Sequence, residues 1–332
     1  MNETKEKPIT QKMKLKEAEA VEIISLADNS VDFLSAIDKK EAQSLRQWTR
    51  ERYSAEWGRT HTQAPVAEHG FSVLVRVFNK EKSSSVLFDT GGSPEGILEN
   101  AKRMGVDLSE VDCIVLSHGH YDHFGGLLSA VKAINTVGLP IIVHENMFAL
   151  RGTKLSNGTV RKHTKFPTAA QLSPAKIIRT KQPSLIAGDM VCVTGEIPRK
   201  TSYEQGFTQQ MAFVDGSWQP DPWIIDDRAI AINIRGKGLV VLSGCAHAGI
   251  INTVTYAQQI TKTEKVYAVL GGFHLSGKTY ENRIQPTIEE LQRINPELIV
   301  PSHCTGWKAM CAIAKTFPEA FVWNGVGNLY KI

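Results

Sequence analysis

Cysteine is scarce in this chain. Only five occur in 332 residues, an odd number, and none forms a Cys-x-x-Cys pair. That usage argues against a disulfide framework and fits a reducing, cytoplasmic location. Long apolar runs are missing too. No stretch reaches the roughly 18 residues that a membrane span needs, so no membrane is expected among the partners. Met1 to Lys16 is polar and lacks the apolar segment of a secretory signal, so secretion is not expected. Neither sign of charge dominates. Lys and Arg number 38 against 34 Asp and Glu, a net +4, which leaves no electrostatic footprint for nucleic acid. There is no internal repeat, no low-complexity tract, no P-loop and no Ser-His-Asp pattern. What remains, at 42% hydrophobic and 22% charged residues, is an ordinary globular composition with material for a large core.

Against that plain background one segment stands out. Ser117-His118-Gly119-His120-Tyr121-Asp122-His123 packs three histidines and a carboxylate into a few consecutive positions. It follows the apolar, strand-like Cys113-Ile114-Val115-Leu116 and precedes Gly125-Gly126 and a helix-like run from Leu127. A single histidine is commonly a hydrogen-bonded structural group. Three with a carboxylate, directly after a strand, form a metal-cluster signature. Neutral imidazoles and carboxylates are preferred ligands of zinc and similar first-row metals. In a tight turn His118 and His120 can share one metal while Asp122 and His123 reach a second. Two cations roughly 3.5–4 Å apart make a hydrolytic centre that holds a nucleophilic water and clamps an oxyanion.

The His-x-His-x-Asp-His pattern resembles the signature of the metallo-β-lactamase-fold superfamily. Two further segments agree with it. Ser85-Val86-Leu87-Phe88-Asp89-Thr90-Gly91-Gly92 resembles the upstream strand whose Asp supports the metal site, and Pro301-Ser302-His303-Cys304-Thr305-Gly306 the late strand-end histidine. Four runs are similar to one branch, the dihydropterin-methyl-ribofuranosylaminobenzene-phosphate synthase-like proteins. They are Ala67-Glu68-His69-Gly70-Phe71-Ser72, Gly244-Cys245-Ala246-His247-Ala248-Gly249-Ile250, Gly271-Gly272-Phe273-His274-Leu275 and the Ser-His-Cys-Thr-Gly run. The resemblance implies a four-layer αββα sandwich with metals at one edge. It also implies two divalent ions, zinc foremost, with iron or manganese as alternatives.

The periodicity independently predicts an α/β fold. Strands are expected at Val21–Leu26, Phe71–Phe78, Ser85–Phe88, Gly238–Leu242, Val266–Leu270 and Leu298–Val300, and helices at Asp38–Tyr53, Pro94–Met104, Ile250–Lys262, Tyr280–Ile294 and Trp307–Phe317. His118, His247, His274 and His303 then fall just past strand ends, where open α/β sheets place ligands. Residues 1–18 read as a polar tail and 19–332 as one domain, since the motifs leave no linker-like gap. Residues 145–225, rich in proline and poor in strand signals, read as an insertion that covers the site.

The metal ligands expected are thus His118, His120, Asp122, His123, His247 and His303. In many superfamily members a bridging Asp stands where this chain has Cys245. Between His123 and Cys245 only His144 and His163 occur, neither in the expected context, so His247 takes the place of the missing ligand. Cys245 and His274 are possible ligands. Asp89 is expected to orient a ligand histidine, because such carboxylates fix imidazole tautomers. His69 and His274 are candidates for substrate contact. Arg161 and Lys162 join them from the basic run Arg151 to Lys165, which could bind a phosphate. Asp226-Asp227 reads as a turn pair, and Cys113 and Cys192 as core residues.

The leading expectation is a dinuclear metal-dependent hydrolase of a phosphoester, ester or related small-molecule substrate. In it a metal-held hydroxide attacks and Asp122 orients the water or accepts its proton. The branch resemblance implies an alternative, a transferase that joins a pterin-methyl pyrophosphate to a ribosylaminobenzene phosphate. A non-catalytic metal- or ligand-binding sensor is a third class, and the intact histidine set argues against it.

Overall fold

In the strand Ser72–Phe78, Val73, Val75 and Val77 point to one face and Leu74 to the other, and all four are buried. A strand apolar on both faces belongs to a sheet covered on both sides. The computed structural model, which describes residues 13–54, 63–80 and 82–332, shows what covers it. One face, with Val86 and Phe88, packs on Ile230, Ile232, Val240 and Leu242 of a second sheet. The other face, Leu74, Leu87, Ile114 and Ile141, packs on helices through Ile97, Met104, Leu127 and Val131. The outer face of the second sheet, Val241, Val269 and Ile299, packs on helices through Val254, Leu291 and Ile313. The layers therefore run helix, sheet, sheet, helix, as the four-layer expectation required.

The first sheet has eight strands in the order Lys176–Arg179, Pro140–Val143, Cys113–Val115, Ser83–Phe88, Ser72–Phe78, Ala20–Ala27, Leu329–Lys331 and Ala42–Gln43. The second runs Ser184–Ile186, Val191–Val193, Ala229–Ile234, Gly238–Ser243, Val266–Gly272 and Leu298–Ser302, with Glu17–Ala18 added beside Ala229–Ile234. Ser83–Phe88 pairs parallel with Cys113–Val115, and Gly238–Ser243, Val266–Gly272 and Leu298–Ser302 pair parallel with one another. Their carboxyl ends deliver Asp89, His118, His247, His274 and His303 to neighbouring loops.

Several expectations shift. The helix expected from Asp38 begins only at Leu45, because Ala42–Gln43 pairs with the last strand and Ser44 closes a capping box with Gln47. The helix expected from Tyr280 opens with a single tight turn, Glu281–Arg283, and is regular from Ile284. Of the expected tail, residues 1–12 lie outside the described residues. Its end is built into the fold, since Glu17–Ala18 pair with Asn233–Ile234 and Met13 and Leu15 pack against the core. Within 145–225, Lys176–Arg179, Ser184–Ile186 and Val191–Val193 extend the two main sheets. Arg151–Lys154, Val160–Lys162, Gln210–Val214 and Ser217–Pro220 form a separate four-stranded sheet. These strands are short, and several are exposed on both faces, so they lack the alternation that marks a strand in sequence.

Gly125 ties the histidine turn to the rest. Its φ is an ordinary −56°, yet a Cβ there would lie 2.0 Å from the Gly92 carbonyl oxygen. The obstacle is backbone, so it cannot rotate away. Gly125→Ala is expected to destabilise the fold by about 1–3 kcal/mol, the usual range for overpacking. A denaturant midpoint equal to the parent's would show that the Gly92 turn yields instead.

Candidate metal centre

Asp89 organises the first turn. It follows Ser83–Phe88 with φ of 59° and accepts from Ser117 N at 2.6 Å and Ser117 Oγ at 2.7 Å. Its Oδ2 also lies 2.7 Å from His123 Nδ1. That contact leaves Nε2 of His123 toward Cys245, and Asp89 itself lies in none of the donor groups.

Two donor groups result. In the first, His118 Nε2 is 2.9 Å from His120 Nδ1, and His247 Nε2 is 3.1 and 3.2 Å from those two atoms. In the second, Asp122, His123, Cys245 and His303 present ligand atoms within 4.8 Å of one another. His123 Nε2 lies 3.1 Å from Cys245 Sγ, and Asp122 Oδ2 lies 3.3 Å from His303 Nε2. Cys245, His247 and His274 also converge within 4.8 Å. All six expected ligands are therefore brought together, with Cys245 and His274 beside them.

The donor chemistry fits cations. Burial drives His118 and His247 well below the usual imidazole range and His120 down to about 3, so these rings are neutral. Among three neutral ring nitrogens this close, no set of N–H tautomers gives all three contacts a good hydrogen bond, whereas one cation satisfies every lone pair. Tetrahedral ligands about 2.1 Å from a zinc are about 3.4 Å apart, close to the spacing seen. At the second group burial again opposes a charged imidazole, but Asp89 and Asp122 outweigh it and push His123 up to about 9. That position calls for positive charge, from a proton or a metal. For Asp122 burial favours the acid form, yet His123 and His303 prevail and hold it well below the carboxylate range.

The backbone is strained where these groups emerge. Asp89, Ala246, His274 and His303 have φ between 43° and 59°. A non-glycine residue in the left-handed region costs on the order of 1–3 kcal/mol, and such strain gathers at functional sites.

A cavity of about 580 Å³ opens over both groups. His69, His120, Asp122, His247, His274 and His303 line it, together with Thr153, Arg161 and Lys162 of the small sheet and the adjoining His163, whose ring lies 5.5 Å from that of His120. His69 Nε2 is 3.4 Å from Asp122 Oδ2. Arg161 and Lys162 line this cavity. Arg151, from the same basic run, does not line it but is buried and pairs with Asp226 through both Nη atoms, at 2.8 and 2.5 Å.

Sequence reasoning missed the residues that hold the turns. Asp226, read as part of a turn pair, is buried and accepts from Gly119 N at 2.8 Å, inside the histidine motif. Burial would raise its pKa, but Arg151 overrides this and it falls to about 2. Asp227 accepts from Ala248 N at 2.8 Å, beside His247. Glu204 accepts from Ile251 N and Asn252 N at 2.9 Å each, capping the helix that follows His247. Asp28 accepts from His303 N at 2.8 Å. The two adjacent acids at 226–227, just before a strong strand, were the one local signal.

The profile of the metallo-beta-lactamase superfamily matches residues 65–303. This chain belongs to that superfamily. It is 32% identical over 269 residues to 7,8-dihydropterin-6-methyl-4-(beta-D-ribofuranosyl)-aminobenzene-5'-phosphate synthase of Methanocaldococcus jannaschii, covering 80% of this chain and 90% of that one. An uncharacterized protein of the same archaeon is 32% identical over 268 residues, covering 80% and 94%. A solved structure described as a metal-dependent hydrolase of the beta-lactamase superfamily is 23% identical. It superposes with a TM-score of 0.68 over 94% of this chain and 98% of that one, which shows the shared fold. Among the described residues no helix is long and apolar enough to cross a membrane.

Cys245 separates two versions of the second donor group. If its thiolate is a ligand, Cys245→Ser is expected to lower metal content markedly, whereas Cys304→Ser leaves it unchanged, because thiolates bind zinc far better than hydroxyls. Metal analysis of the purified variants checks this. Equal content in Cys245→Ser and the parent would make Cys245 a neighbour only.

Proposed function

We propose that this protein is a metal-dependent hydrolase of a small, phosphate-bearing substrate. One observation carries the reading: two donor groups meet at a single cavity whose lining also includes Arg161 and Lys162. Cations lining one pocket suit an anionic ligand, and its volume is that of a small-molecule site. His118, His120 and His247 would hold one divalent ion, and Asp122, His123, Cys245 and His303 a second. Two such ions, when bound, supply Lewis acidity and lower the pKa of water.

The chain's own groups do the rest. Arg161 and Lys162 bind the phosphate end away from the reacting bond. Asp122, kept ionised, accepts a proton from the attacking water, and His69 beside it steadies the carboxylate. The small sheet covers the site and limits water around the reacting bond, with residues 19–332 acting as one domain.

A second reading has a specific observation in its favour. Identity of 32% to the pterin-phosphate synthase extends over 80% of this chain, and on that ground the acceptor would be the ribosylaminobenzene phosphate rather than water. Metal-loaded protein is to be assayed on phosphomonoesters, phosphodiesters and carboxyl esters, and in parallel on the pterin-methyl pyrophosphate with the ribosylaminobenzene phosphate. Ester hydrolysis that stops on chelation is expected. Condensation without hydrolysis of any ester would overturn the hydrolase reading.

A further inference from the structure

Two cysteines meet at the end of the second sheet. Cys245 lies two residues past Gly238–Ser243, and Cys304 two past Leu298–Ser302. Those strands are not neighbours, for Val266–Gly272 runs between them, with Gly272 opposite Ser302. The middle strand thus ends in a residue without a side chain, and the two cysteines close over it. A Cβ on Gly272 would lie 2.7 Å from Cys304 Sγ and 3.3 Å from the Cys245 Cα. Cys304 Sγ donates to the Cys245 carbonyl at 3.6 Å, and the two thiols hydrogen-bond to each other.

Both residues can be reached from solvent. Cys245 and Cys304 are only 2% and 8% exposed, yet both line the cavity of the metal centre. The other cysteines are placed differently. Cys113 and Cys192 sit in the apolar core, and Cys311 is at the surface. A thiol in contact with a second thiol, at an opening to solvent, is the arrangement of a redox-sensing pair. Of the two, only Cys245 belongs to a donor group, with His123 Nε2 3.1 Å from its Sγ. Its sulfur can bind a cation or bond to Cys304. It cannot do both, because the metal ligand is the thiolate and a disulfide has none.

We propose that Cys245 and Cys304 form a reversible disulfide when the second donor group lacks its ion, and that this bond shuts the group to metal. A peroxide serves as oxidant. One thiol sulfur attacks a peroxide oxygen and the O–O bond breaks, giving a sulfenic acid and water. The other thiol attacks that sulfur, the S–S bond forms, and the hydroxyl leaves as a second water. The two thiols lose two electrons and two protons, which the peroxide takes up as it becomes two waters. The coupling to metal rests on the proposed role of Cys245 as a ligand of the second ion. The disulfide itself does not, and neither depends on which reaction the site catalyses.

The test uses protein carrying Cys311→Ser, so that no exposed thiol links two copies. The metal-free form is treated with hydrogen peroxide, digested without reductant and read by mass spectrometry, with zinc uptake taken by calorimetry. A cross-linked peptide pair holding Cys245 and Cys304 is expected, with two thiols lost per chain and one zinc fewer bound, all reversed by a phosphine reductant. Zinc at 100 times its dissociation constant leaves about one chain in a hundred without it, so zinc loading should slow the oxidation about a hundredfold. Adding Cys304→Ser should leave zinc uptake unchanged before oxidation and abolish the cross-link. Absence of the Cys245 to Cys304 pair overturns the proposal, as does a pair that leaves zinc uptake intact or forms as fast with zinc bound. If Cys245→Ser takes up as much zinc as its parent, the ligand reading fails and the coupling fails with it, whether or not the disulfide forms.

Discussion

His118→Ala is expected to remove most of the stabilisation that added zinc gives the parent protein. A ligand present at 100 times its dissociation constant stabilises the native state by about 2.7 kcal/mol. Even outer partners of metal ligands change affinity by about 10–100-fold when removed, so loss of a direct ligand sits at the upper end or beyond. A 100-fold loss would leave zinc near its new dissociation constant, with about 0.4 kcal/mol of stabilisation. His118 is buried and closes the first donor group against both His120 and His247. His123 does not take its place there, because Asp89 holds its Nδ1 and its Nε2 faces Cys245 in the second group. Metal content is expected to fall by one ion per chain. Unfolding of the metal-free parent and variant, each repeated with excess zinc, reads the effect. Equal upward shifts in melting temperature would remove His118 from the ligand set.

How much of this centre was legible beforehand follows from where each residue gets its role. His118, His120, Asp122 and His123 are contiguous, so their convergence needs only one turn at a strand end, and that turn is local. His247 and His303 were legible because each ends a buried apolar strand, and parallel pairing brings such ends to one edge. The supports were not. Asp28 reaches His303 across 275 residues and Asp226 reaches Gly119 across 107. Each acts through a backbone N–H, which any residue type offers, so neither partner carries a signature. Arg151 shows the converse error. In sequence it is one of a run of basic residues, and only folding reveals that it is buried against Asp226 while Arg161 stays at the cavity. The main strands were legible because they are near-continuous runs of Val, Ile and Leu, whereas their stacking into four layers was implied only by the family resemblance. The small sheet was not legible, since its strands have little core to face.

Asp122→Asn carries the choice of reaction. Asp122 lies between the two histidines of its motif that turn toward different donor groups. Its Oδ2 is within 3.3 Å of His303, 3.4 Å of His69 and 3.8 Å of His123. The neighbouring imidazoles hold it ionised despite burial, so it can accept a proton at neutral pH. Asparagine keeps the shape and one acceptor oxygen but loses charge and basicity. Loss of a general base typically lowers rate by about 10²–10⁴, and a fall of that order in ester hydrolysis is expected with the fold intact and some metal retained. A transferase that expels pyrophosphate has no water to deprotonate, so its rate would follow metal content rather than basicity. Turnover and metal content measured on the same preparation of Asp122→Asn therefore separate the two. A rate that falls only in proportion to lost metal favours the transferase, and near-normal hydrolysis at normal metal occupancy removes Asp122 as the base.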